Sequence, residues 1–477
     1  MDLIGREYEI RKLENAYNSG RPEFIAVYGR RRVGKTFLVR ELFKDRFTFY
    51  YAGKEKLKKA LQLSSFRESL ILHGYEDCPP LGNWLEAFSA LRKLVSESDQ
   101  KKKVIFLDEI AWIDNKQSEF LPAFEGFWNE WASGRDDVLL IICASATSWI
   151  MKKVFHNRGG LYNRLTDKIL LSEFTLGECE EFVEKNHLGY SREQILQLYM
   201  AIGGVAFYWT KLEKGLSVAQ NIEALFFGKR ALLKNEFKEL YQSLFSCPDG
   251  YIKIVTALGT KSMGLTRTQI SEETGLSSNM HLGTMLSELV ECGLVYEYIP
   301  MGKRVNGAVY KLVDSLSLFH FRYLQNPFQD TDWISLTRTP EYYSWCGLSY
   351  ERIVLLHLDQ VKKKLGISGM SVSAYCWFSN NRKLEDGETG AQIDLLLDRT
   401  DGLINIVEVK WSSDGKKYVM TMDDEQSLCN KRNVLVSQTG TKKGIHFTLV
   451  TVSGYVVNRY SDMIQSCVTL DDLFEKC

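Results

Sequence analysis

Residues 29–36 read Gly29-Arg30-Arg31-Arg32-Val33-Gly34-Lys35-Thr36, which is the pattern G-x-x-x-x-G-K-T. A short apolar run precedes the pattern, and a run of helical character begins with Phe37 directly after it. A strand before and a helix after is the setting of a phosphate-binding loop. In such a loop backbone N–H groups surround the phosphates, the Lys35 ammonium binds the β and γ phosphates, and the Thr36 hydroxyl binds Mg²⁺. We therefore assign the whole stretch and Phe37 to the binding of ATP with Mg²⁺.

A second apolar run ends in two carboxylates and reads Val104-Ile105-Phe106-Leu107-Asp108-Glu109. In nucleotide hydrolases with this kind of loop, the first carboxylate orients Mg²⁺ and the second polarises the attacking water. We predict that Asp108 lies on the metal side and that Glu109 is the catalytic base. Because Glu109 is intact, the sequence favours hydrolysis of ATP over binding alone.

Strand and helix patterns alternate through the first third of the chain. Its short, continuous apolar runs are typical of strands that are buried on both faces of a parallel sheet. The sequence therefore predicts an α/β fold with a parallel sheet, followed by a helical region from about 176 to 230. The predicted strands of the sheet are 22–29, 47–52, 103–108, 138–145 and 168–172.

Composition excludes several classes of protein. The 477 residues are 45% hydrophobic and 25% charged, which is typical of a soluble globular protein of about three domains. The 60 basic and 60 acidic residues cancel, so any contact with nucleic acid must come from a local patch. We find no apolar run of about 20 residues, no apolar signal-peptide core and no zinc-ligand spacing among the 10 cysteines and 7 histidines. We expect a cytoplasmic protein without a membrane partner.

Two further features fit a nucleotide site. The strand pattern ending at Ser145 runs into Thr147, and either hydroxyl can contact the γ-phosphate or the hydrolytic water; ordinary loop hydroxyls are the alternative. Arg158 and Arg164 lie before the last predicted strand. Either one can reach the phosphate of a second copy, as arginine fingers do, and a plain surface arginine is the alternative. Such a finger requires a homo-oligomer, which one arginine does not establish.

The order of these motifs resembles a family of predicted AAA+/STAND-like P-loop ATPases from archaea and some bacteria. In that family a winged helix and a C-terminal DUF234/PD-(D/E)XK nuclease-like domain follow the ATPase. The resemblance implies that Gly5-Arg6-Glu7 lies near the adenine and that Gly203-Gly204 belongs to a helical lid over the nucleotide. Two departures are Ala206, where the family has proline, and Asn163-Arg164, where it has Gly-Arg. The second makes Arg164 the better finger candidate.

The resemblance covers nearly the whole chain and implies four domains. They are a P-loop ATPase core at 1–175, a helical lid at 176–232, a winged helix at 233–335 and a nuclease-like domain at 336–477.

The middle of the chain has a helix-turn-helix pattern followed by a hairpin. Residues 266–277 predict a helix and a turn at Gly275, residues 278–291 a second helix, and residues 294–312 the hairpin. The second helix carries Glu288 and Glu291 and no basic residue, although phosphate contacts supply most DNA affinity. Only the hairpin tip is basic, at Lys303-Arg304. The sequence therefore favours protein docking or a structural role over DNA reading.

The C-terminal part combines an acid on one strand pattern with Glu-x-Lys on the next. Asp394 lies in the run 392–398, and Glu408 and Lys410 in the run 403–409 and the residue after it. Residues i and i+2 of a strand face one side, so these side chains converge. Two carboxylates can bind Mg²⁺, and the lysine can position or deprotonate water. This constellation resembles the PD-(D/E)XK nuclease core, with Glu351 as the extra acid of a helix at 351–364.

The same constellation has a plain alternative, which is a hairpin with ordinary surface charges. Gln392 stands at a position that is often acidic and leaves the two metal ligands intact. Lys416 and Lys417 are interpreted as a solvated basic loop, with a phosphate-backbone contact as the alternative. A further strand pattern is predicted at 446–453.

Three functions remain at this stage. The first is an ATP-hydrolysing protein with a metal-dependent DNA-cleaving or DNA-binding domain. The second is a nucleotide-switched scaffold that binds protein partners and carries an inactive nuclease-like domain. The third is an ATPase that reads DNA through its winged helix, which the acidic second helix disfavours.

Overall fold

The computed structural model describes residues 3–114, 118–145, 147–155, 160–161, 163–245, 247–301, 307–325, 332–379 and 390–477, apart from the side chains of 147 and 148. The chain forms two compact units. The first comprises Met1–Glu173 and Gln242–Ser246, and the second comprises Phe174–Tyr241 and Cys247–Cys477. Within the described ranges, no helix is both long enough and apolar enough to cross a membrane.

Helices and strands alternate through the first unit. In chain order they are α1 (Glu7–Asn18), β1 (Glu23–Tyr28), α2 (Lys35–Leu42), β2 (Phe47–Ala52), α3 (Lys59–Leu72), α4 (Trp84–Glu97), β3 (Lys103–Asp108), α5 (Phe120–Glu130), β4 (Val138–Ala144), α6 (Thr147–Ile150) and β5 (Asp167–Leu170). Short 3₁₀ or π segments lie at Ile110–Trp112, Ala132–Gly134 and Met151–Phe155.

The strands of this unit form one parallel sheet in the order β2-β3-β4-β1-β5. Alternate residues of each strand enter different cores, because side chains alternate across a pleated strand. Phe24 and Ala26 pack into the core with α3, α4 and α5, whereas Ile25 and Val27 pack into the core with α1 and α2. Both faces are therefore buried, and the predicted α/β fold with a parallel sheet is confirmed.

The sheet order determines where the candidate site forms. β4 lies between β1 and β3, so the carboxyl ends of these three strands are neighbours at one edge. The segments that follow them begin at Gly29, Glu109 and Ser145. In open α/β sheets ligands bind at this edge, where the strands end and helices begin.

The second unit begins with helices and a small sheet. In chain order these are α7 (Leu176–Lys185), α8 (Arg192–Ile202), α9 (Ala206–Trp209), α10 (Val218–Ile222), α11 (Glu236–Leu244, its last residues in the first unit), α12 (Pro248–Gly259), β6 (Leu265–Thr266), α13 (Arg267–Thr274), α14 (Met280–Glu291), β7 (Val295–Tyr298), β8 (Val309–Leu312) and α15 (Ser315–Phe319). The antiparallel sheet has the order β6-β8-β7, and π segments lie at Glu223–Phe227 and His320–Leu324.

The rest of the second unit surrounds a mixed sheet in the order β15-β13-β11-β10-β9. β11, β13 and β15 are parallel, whereas β10 is antiparallel to both of its neighbours. The elements are α16 (Trp333–Leu336), α17 (Pro340–Leu356), α18 (Leu358–Lys364), β9 (Val372–Phe378), β10 (Gln392–Arg399), β11 (Leu403–Lys410), β12 (Tyr418–Val419), α19 (Met422–Thr439), β13 (Gly444–Thr451), β14 (Tyr455–Val456), β15 (Ile464–Thr469) and α20 (Leu470–Leu473).

The predicted helix at 351–364 is wrong in its bounds. The structure has two helices there, and the first begins at Pro340, where the Thr339 hydroxyl accepts a hydrogen bond from the Tyr342 N–H group. Proline at the first helical position and a hydroxyl cap both favour this start. The helix ends at Leu356, because His357 leaves the helical conformation.

A buried histidine links α17 to α7. The Leu176 N–H group donates to His357 Nε2 at 3.0 Å, and His357 Nδ1 lies 2.8 Å from the Ile353 carbonyl. Burial lowers the pKa of His357 to about 4 from 6.5, because a buried imidazolium loses its hydration.

Replacing this histidine is expected to flatten the response of stability to acid. A lowered folded-state pKa means that stability is fully present above pH 6.5 and is lost as the pH falls towards 4. In wild type this single group removes about 3 kcal/mol from the free energy of unfolding over that range. The difference in unfolding free energy between wild type and His357→Gln, measured by urea unfolding, should therefore shrink on acidification. A constant difference from pH 7 to pH 4.5 would contradict this assignment.

Candidate functional site

The lysine of the phosphate-binding stretch holds the loop together in the structure. Lys35 is 4% exposed, and its Nζ donates to the carbonyls of Gly29 at 3.0 Å and Arg30 at 2.7 Å. Gly29 has φ +139°, and a Cβ there would lie 2.3 Å from the Leu171 carbonyl oxygen. Gly34 has φ +99°, with nothing within 4 Å of its missing Cβ. The loop thus requires glycine at both ends and leaves open space beside Gly34.

Two arginines that were predicted to bind nucleotide are structural contacts of the loop. Arg6 is buried, and its Nη2 donates to the carbonyls of Ser172 at 2.8 Å and Val33 at 3.4 Å. Arg30 is also buried and forms an ion pair with Glu173. Through these contacts the turn after β5 and the phosphate-binding loop hold each other in place. Any effect of these two arginines on nucleotide binding is therefore expected to include the shape of the loop.

Of the other predicted binding residues, Val33 and Gly204 are buried, whereas Gly5, Arg31, Arg32 and Phe37 are at least partly accessible. Gly5 and Arg32 have positive φ angles of 56° and 70°. Arg31 and Arg32 are half-buried, and Phe37 is 36% exposed at the start of α2. Their positions are compatible with contact to a ligand seated on the loop.

Thr36 and Asp108 lie together, as a shared metal ion requires. The Thr36 hydroxyl donates to Asp108 Oδ2 at 2.8 Å, although the two residues are 72 positions apart. Burial raises the pKa of Asp108, and the neighbouring Glu109 carboxylate raises it further. A hydroxyl and a carboxylate are oxygen ligands of the kind that Mg²⁺ prefers, so these residues fit the predicted ion.

Glu109 is held in place by Ser145. The Ser145 hydroxyl donates to Glu109 Oε1 at 2.6 Å, and its N–H group donates to Oε2 at 3.3 Å. Glu109 itself has φ +46°, a conformation that non-glycine residues seldom adopt. The sequence predicts that the Ser145 hydroxyl contacts the γ-phosphate or the hydrolytic water. In the structure this hydroxyl contacts Glu109, the predicted catalytic base. The side chain of Thr147 lies outside the described residues.

Removing the serine hydroxyl is expected to slow ATP hydrolysis more than it weakens binding. Ser145→Ala leaves Lys35 and Thr36 intact, so the Michaelis constant for ATP should change little. The turnover number should fall by about tenfold, because a general base loses efficiency when it is misplaced. Steady-state kinetics measure both quantities, and Ser145→Thr is the control that keeps a hydroxyl. A raised Michaelis constant with unchanged turnover would instead place Ser145 in substrate binding.

The predicted arginine finger is exposed at the surface of the first unit. Arg164 follows Asn163, whose φ of +54° is the left-handed conformation that glycine adopts most easily. Asparagine is one of the residues that tolerate this conformation. The chain therefore preserves the turn although it lacks the glycine of the family pattern. Arg158 lies outside the described residues.

The predicted lid glycines form a tight contact within the second unit. Gly204 accepts a hydrogen bond from the Phe174 N–H group at 2.7 Å, and a Cβ on Gly204 would lie 2.0 Å from the Phe174 oxygen. Ala206, which replaces the proline of the family pattern, is the first residue of α9. Because proline suits that position without being required there, the helix begins normally with alanine.

The C-terminal acids converge on one face of the mixed sheet. The pairing of β10 with β11 sets Leu395 opposite Val407, so Asp394 and Glu408 are next in register. Lys410 Nζ lies 3.1 Å from Glu408 Oε1 and 3.4 Å from Asp424 Oδ1. We call Glu351, Asp394 and Glu408 the carboxylate cluster.

The charges of the carboxylate cluster affect the pKa values of its members. Burial and the charge of Asp394 raise the pKa of Glu351 to about 7. Burial, followed by the charge of Glu408, also raises the pKa of Asp394. Burial opposes the charge of Lys410, but the adjacent Glu408 carboxylate more than offsets it and raises the lysine pKa. Glu351 on α17 therefore lies close enough to the two strand carboxylates for their charges to affect its pKa.

Two lysines next to the carboxylate cluster were not predicted from the sequence. Lys431 on α19 lies 2.6 Å from Glu408 Oε2, so both oxygens of that carboxylate contact an ammonium. Lys311 on β8 is 9% exposed, its Nζ lies 3.8 Å from Cys376 Sγ, and its charge partly offsets the rise in the pKa of Glu351 and of Asp394. Both come from elements outside the Asp–Glu-x-Lys hairpin. The available clue was the pattern of strand, helix and strand, which brings α19 across β11.

Other residues of interest can also be placed. Lys416 and Lys417 are exposed, as the interpretation of a solvated loop requires, whereas Lys303 and Arg304 lie outside the described residues. The expectation that Glu288 presents charge at the surface is wrong, because it is 4% exposed and accepts a hydrogen bond from the Tyr251 hydroxyl. Among the described residues, no group of three or more His, Cys, Asp or Glu side chains is arranged to hold a metal ion.

Comparison with known proteins agrees with the geometry of the first unit. Residues 3–212 match the family model of an ATPase domain that occurs predominantly in Archaea. This part of the chain is a P-loop ATPase domain. The match supports ATP binding and ATPase activity, and it includes Gly5, Arg6, the phosphate-binding loop, Glu109 and Gly204.

Other proteins are similar to more of the chain. An uncharacterised protein of Methanocaldococcus jannaschii is 24% identical over 431 residues, which cover 86% of this chain and 87% of the relative. The Walker-type ATPase PABY2304 of Pyrococcus abyssi is 17% identical, with a TM-score of 0.48, covering 68% of this chain and 97% of that one. CDC6P from Pyrobaculum aerophilum is 16% identical, with a TM-score of 0.34, covering 69% and 96%.

Proposed function

We propose that this protein hydrolyses ATP and couples that reaction to a metal-dependent DNA-cleaving domain. The observation that carries the second part is the meeting of Asp394, Glu408 and Lys410 on adjoining strands, with Glu351 added from a helix. Two strand carboxylates and an ammonium are the groups that hydrolysis of a phosphodiester needs. The domains we propose are an ATPase core at 1–175, a lid at 176–232, a winged helix at 233–335 and a nuclease-like domain at 336–477.

In the ATPase, the residues of the chain divide the work. Lys35 and the N–H groups of the loop bind the phosphates, Glu109 accepts a proton from the attacking water, and Ser145 orients Glu109. Bound Mg²⁺, held through Thr36 and Asp108, supplies positive charge to the γ-phosphate. The exposed side chain of Arg164 is available to the nucleotide of a second copy, which makes a homo-oligomer part of the proposal.

In the C-terminal domain, Asp394 and Glu408 are the proposed ligands of Mg²⁺. The bound ion supplies Lewis acidity to the phosphodiester. Lys410 positions the attacking water or stabilises the developing negative charge on phosphate. Lys431 Nζ lies 2.6 Å from the second oxygen of Glu408 and neutralises part of its charge; a bound ion would compete with this contact.

The winged helix is proposed for α12, α13, α14 and the β6-β8-β7 sheet. The Thr266 hydroxyl caps α13, and Gly275, with φ +70°, makes the turn that follows it. The exposed residues at the start of α14 include Met280, which is 86% exposed, and His281. This uncharged, partly apolar end supports docking of a protein more than reading of DNA.

A nucleotide-switched scaffold is the second candidate, and one observation favours it. Both oxygens of Glu408 are paired with lysines, at 3.1 Å and 2.6 Å, so the carboxylate is neutralised without a metal ion. A domain in that state can serve as a binding module. Tight ATP binding with slow turnover and no DNA cleavage would support this candidate.

The deciding experiment is a cleavage assay on purified protein. Supercoiled and linear DNA are incubated with Mg²⁺ or Mn²⁺, with and without ATP. Cleavage that depends on the metal ion supports the nuclease, and its dependence on ATP shows whether the ATPase gates it. No cleavage under any of these conditions would overturn the nuclease and leave the scaffold.

A further inference from the structure

A cleft lies within the second unit, apart from the carboxylate cluster, between α12, α17 and the segment 315–325. Its volume is about 350 Å³, at the lower end of the range for small-molecule sites. Apolar side chains, including Phe321 and Leu348, form part of its wall. Gly259 of α12 admits Phe321, because a Cβ there would lie 2.5 Å from that ring.

One face of α17 contributes three polar side chains to this α17 cleft. Trp345, Ser349 and Arg352 follow one another at helical spacing, and all three are more than nine-tenths buried. Trp345 Nε1 and Ser349 Oγ have no hydrogen-bond partner among the described residues. Folded proteins seldom bury such groups without a partner, which is commonly a ligand or a water. Two neighbouring buried polar groups without a hydrogen-bond partner, both in the wall of one cleft, therefore indicate a bound molecule.

The charge of the cleft selects the class of that molecule. Among the described residues that line it are two arginines, Arg352 and Arg322, and no aspartate or glutamate. Arg352 is 4% exposed, whereas Arg322 is exposed to solvent. Indole N–H, hydroxyl and guanidinium groups are all donors, and a guanidinium matches the two oxygens of a carboxylate or phosphate. The aromatic and aliphatic side chains of the wall favour a ligand whose other part is apolar.

We propose that the α17 cleft binds a small organic anion with an aromatic or aliphatic body. The carboxylate or phosphate accepts hydrogen bonds from Trp345, Ser349 and Arg352, and the body packs on Phe321 and Leu348. The site lies outside the phosphate-binding loop and does not depend on the proposed nuclease. Arg352 is the residue after Glu351 of the carboxylate cluster, so a ligand here occupies the same helix as that acid.

The proposal is tested with benzoate and phenyl phosphate, and with benzamide as the uncharged counterpart. The full chain is titrated by calorimetry in excess ADP and Mg²⁺, so that the phosphate-binding loop is occupied. At least one of the two anions should bind and raise the melting temperature, whereas benzamide should not. Failure of both anions to bind, or equal binding of benzamide, overturns the proposal.

Matched variants locate the binding. Ser349→Ala should lower the affinity for the anion by about tenfold, because one hydrogen bond to a charged group is lost. Leu348→Trp fills the cleft from a side chain that is 51% exposed, and it should abolish binding. Leu356→Trp, at a 41% exposed position of the same helix, is the control and should bind normally. Unchanged binding in Leu348→Trp overturns the site. If ADP itself fails to bind, the proposed ATPase is overturned, and the Leu348→Trp comparison still decides the cleft.

Discussion

Replacing Lys35 with alanine is expected to abolish ATP turnover, with a loss of about 10³-fold or more. In the structure its ammonium donates to two loop carbonyls, of Gly29 and Arg30, at the place where the phosphates are expected. The substitution removes the charge that binds the β and γ phosphates and also the two contacts that shape the loop. ATP affinity should fall by about 100-fold, since a hydrogen bond to a charged group is worth about 1.5–3 kcal/mol.

The measurements are ATP hydrolysis and binding of a fluorescent nucleotide, compared with Lys44→Ala. Lys44 is an exposed lysine just beyond α2, so its removal tests the loss of one positive charge nearby. Lys44→Ala should behave as wild type, and circular dichroism confirms that both variants fold. If Lys35→Ala binds ATP normally, residues 29–36 do not form the nucleotide site, and the ATP hydrolysis and the nucleotide-switched scaffold proposed for this chain both fail.

Replacing Lys410 with alanine is expected to reduce metal-dependent DNA cleavage by about 10³-fold and to leave ATP turnover unchanged. Lys410 is the ammonium that contacts Glu408 on the face of Asp394. Its loss should not unfold the domain, because Lys431 still pairs with Glu408 at 2.6 Å. Glu408→Gln is the harsher change, since it leaves both lysines without that carboxylate.

The control for this experiment is Lys442→Ala, an exposed lysine just before β13 in the same domain. Plasmid nicking is measured in Mg²⁺ and in Mn²⁺ for wild type, Lys410→Ala and Lys442→Ala, and ATP hydrolysis is measured for the same three proteins. Equal cleavage by wild type and Lys410→Ala would assign the activity to another site or to a contaminating nuclease. Loss of ATP hydrolysis together with cleavage would indicate a folding defect and would be checked by thermal unfolding.

The C-terminal hairpin was predictable and the cluster around it was not. Asp394, Glu408 and Lys410 follow from strand alternation, which depends only on neighbouring residues. Lys431 and Lys311 come from a helix and a strand that the sequence places 21 residues after Lys410 and 83 residues before Asp394. Nothing in local periodicity indicates which buried lysine a distant carboxylate will meet.

In α14, the second helix of the middle region, a glutamate that was expected to be exposed is buried. The sequence predicts that the charges of Glu288 and Glu291 repel phosphates, which requires the exposed position that glutamate usually has. Glu288 is instead buried with the Tyr251 hydroxyl, a partner 37 positions away. Helical spacing predicts one apolar face with Leu282, Met285, Leu286, Leu289 and Val290. The first four are buried and Val290 is half-buried, but periodicity does not reveal a polar partner inside a core.

By itself, the sequence determined the parallel sheet of the first unit and the phosphate-binding loop at its edge. Both depend on local patterns, namely apolar runs of strand length and glycines at fixed spacing before a helix. Only the tertiary structure decided that Arg6 and Arg30 hold the loop, that Ser145 orients Glu109, and that lysines from α19 and β8 neutralise the carboxylate cluster. These contacts join residues far apart in the chain. Packing brings them together, and no local spacing encodes them.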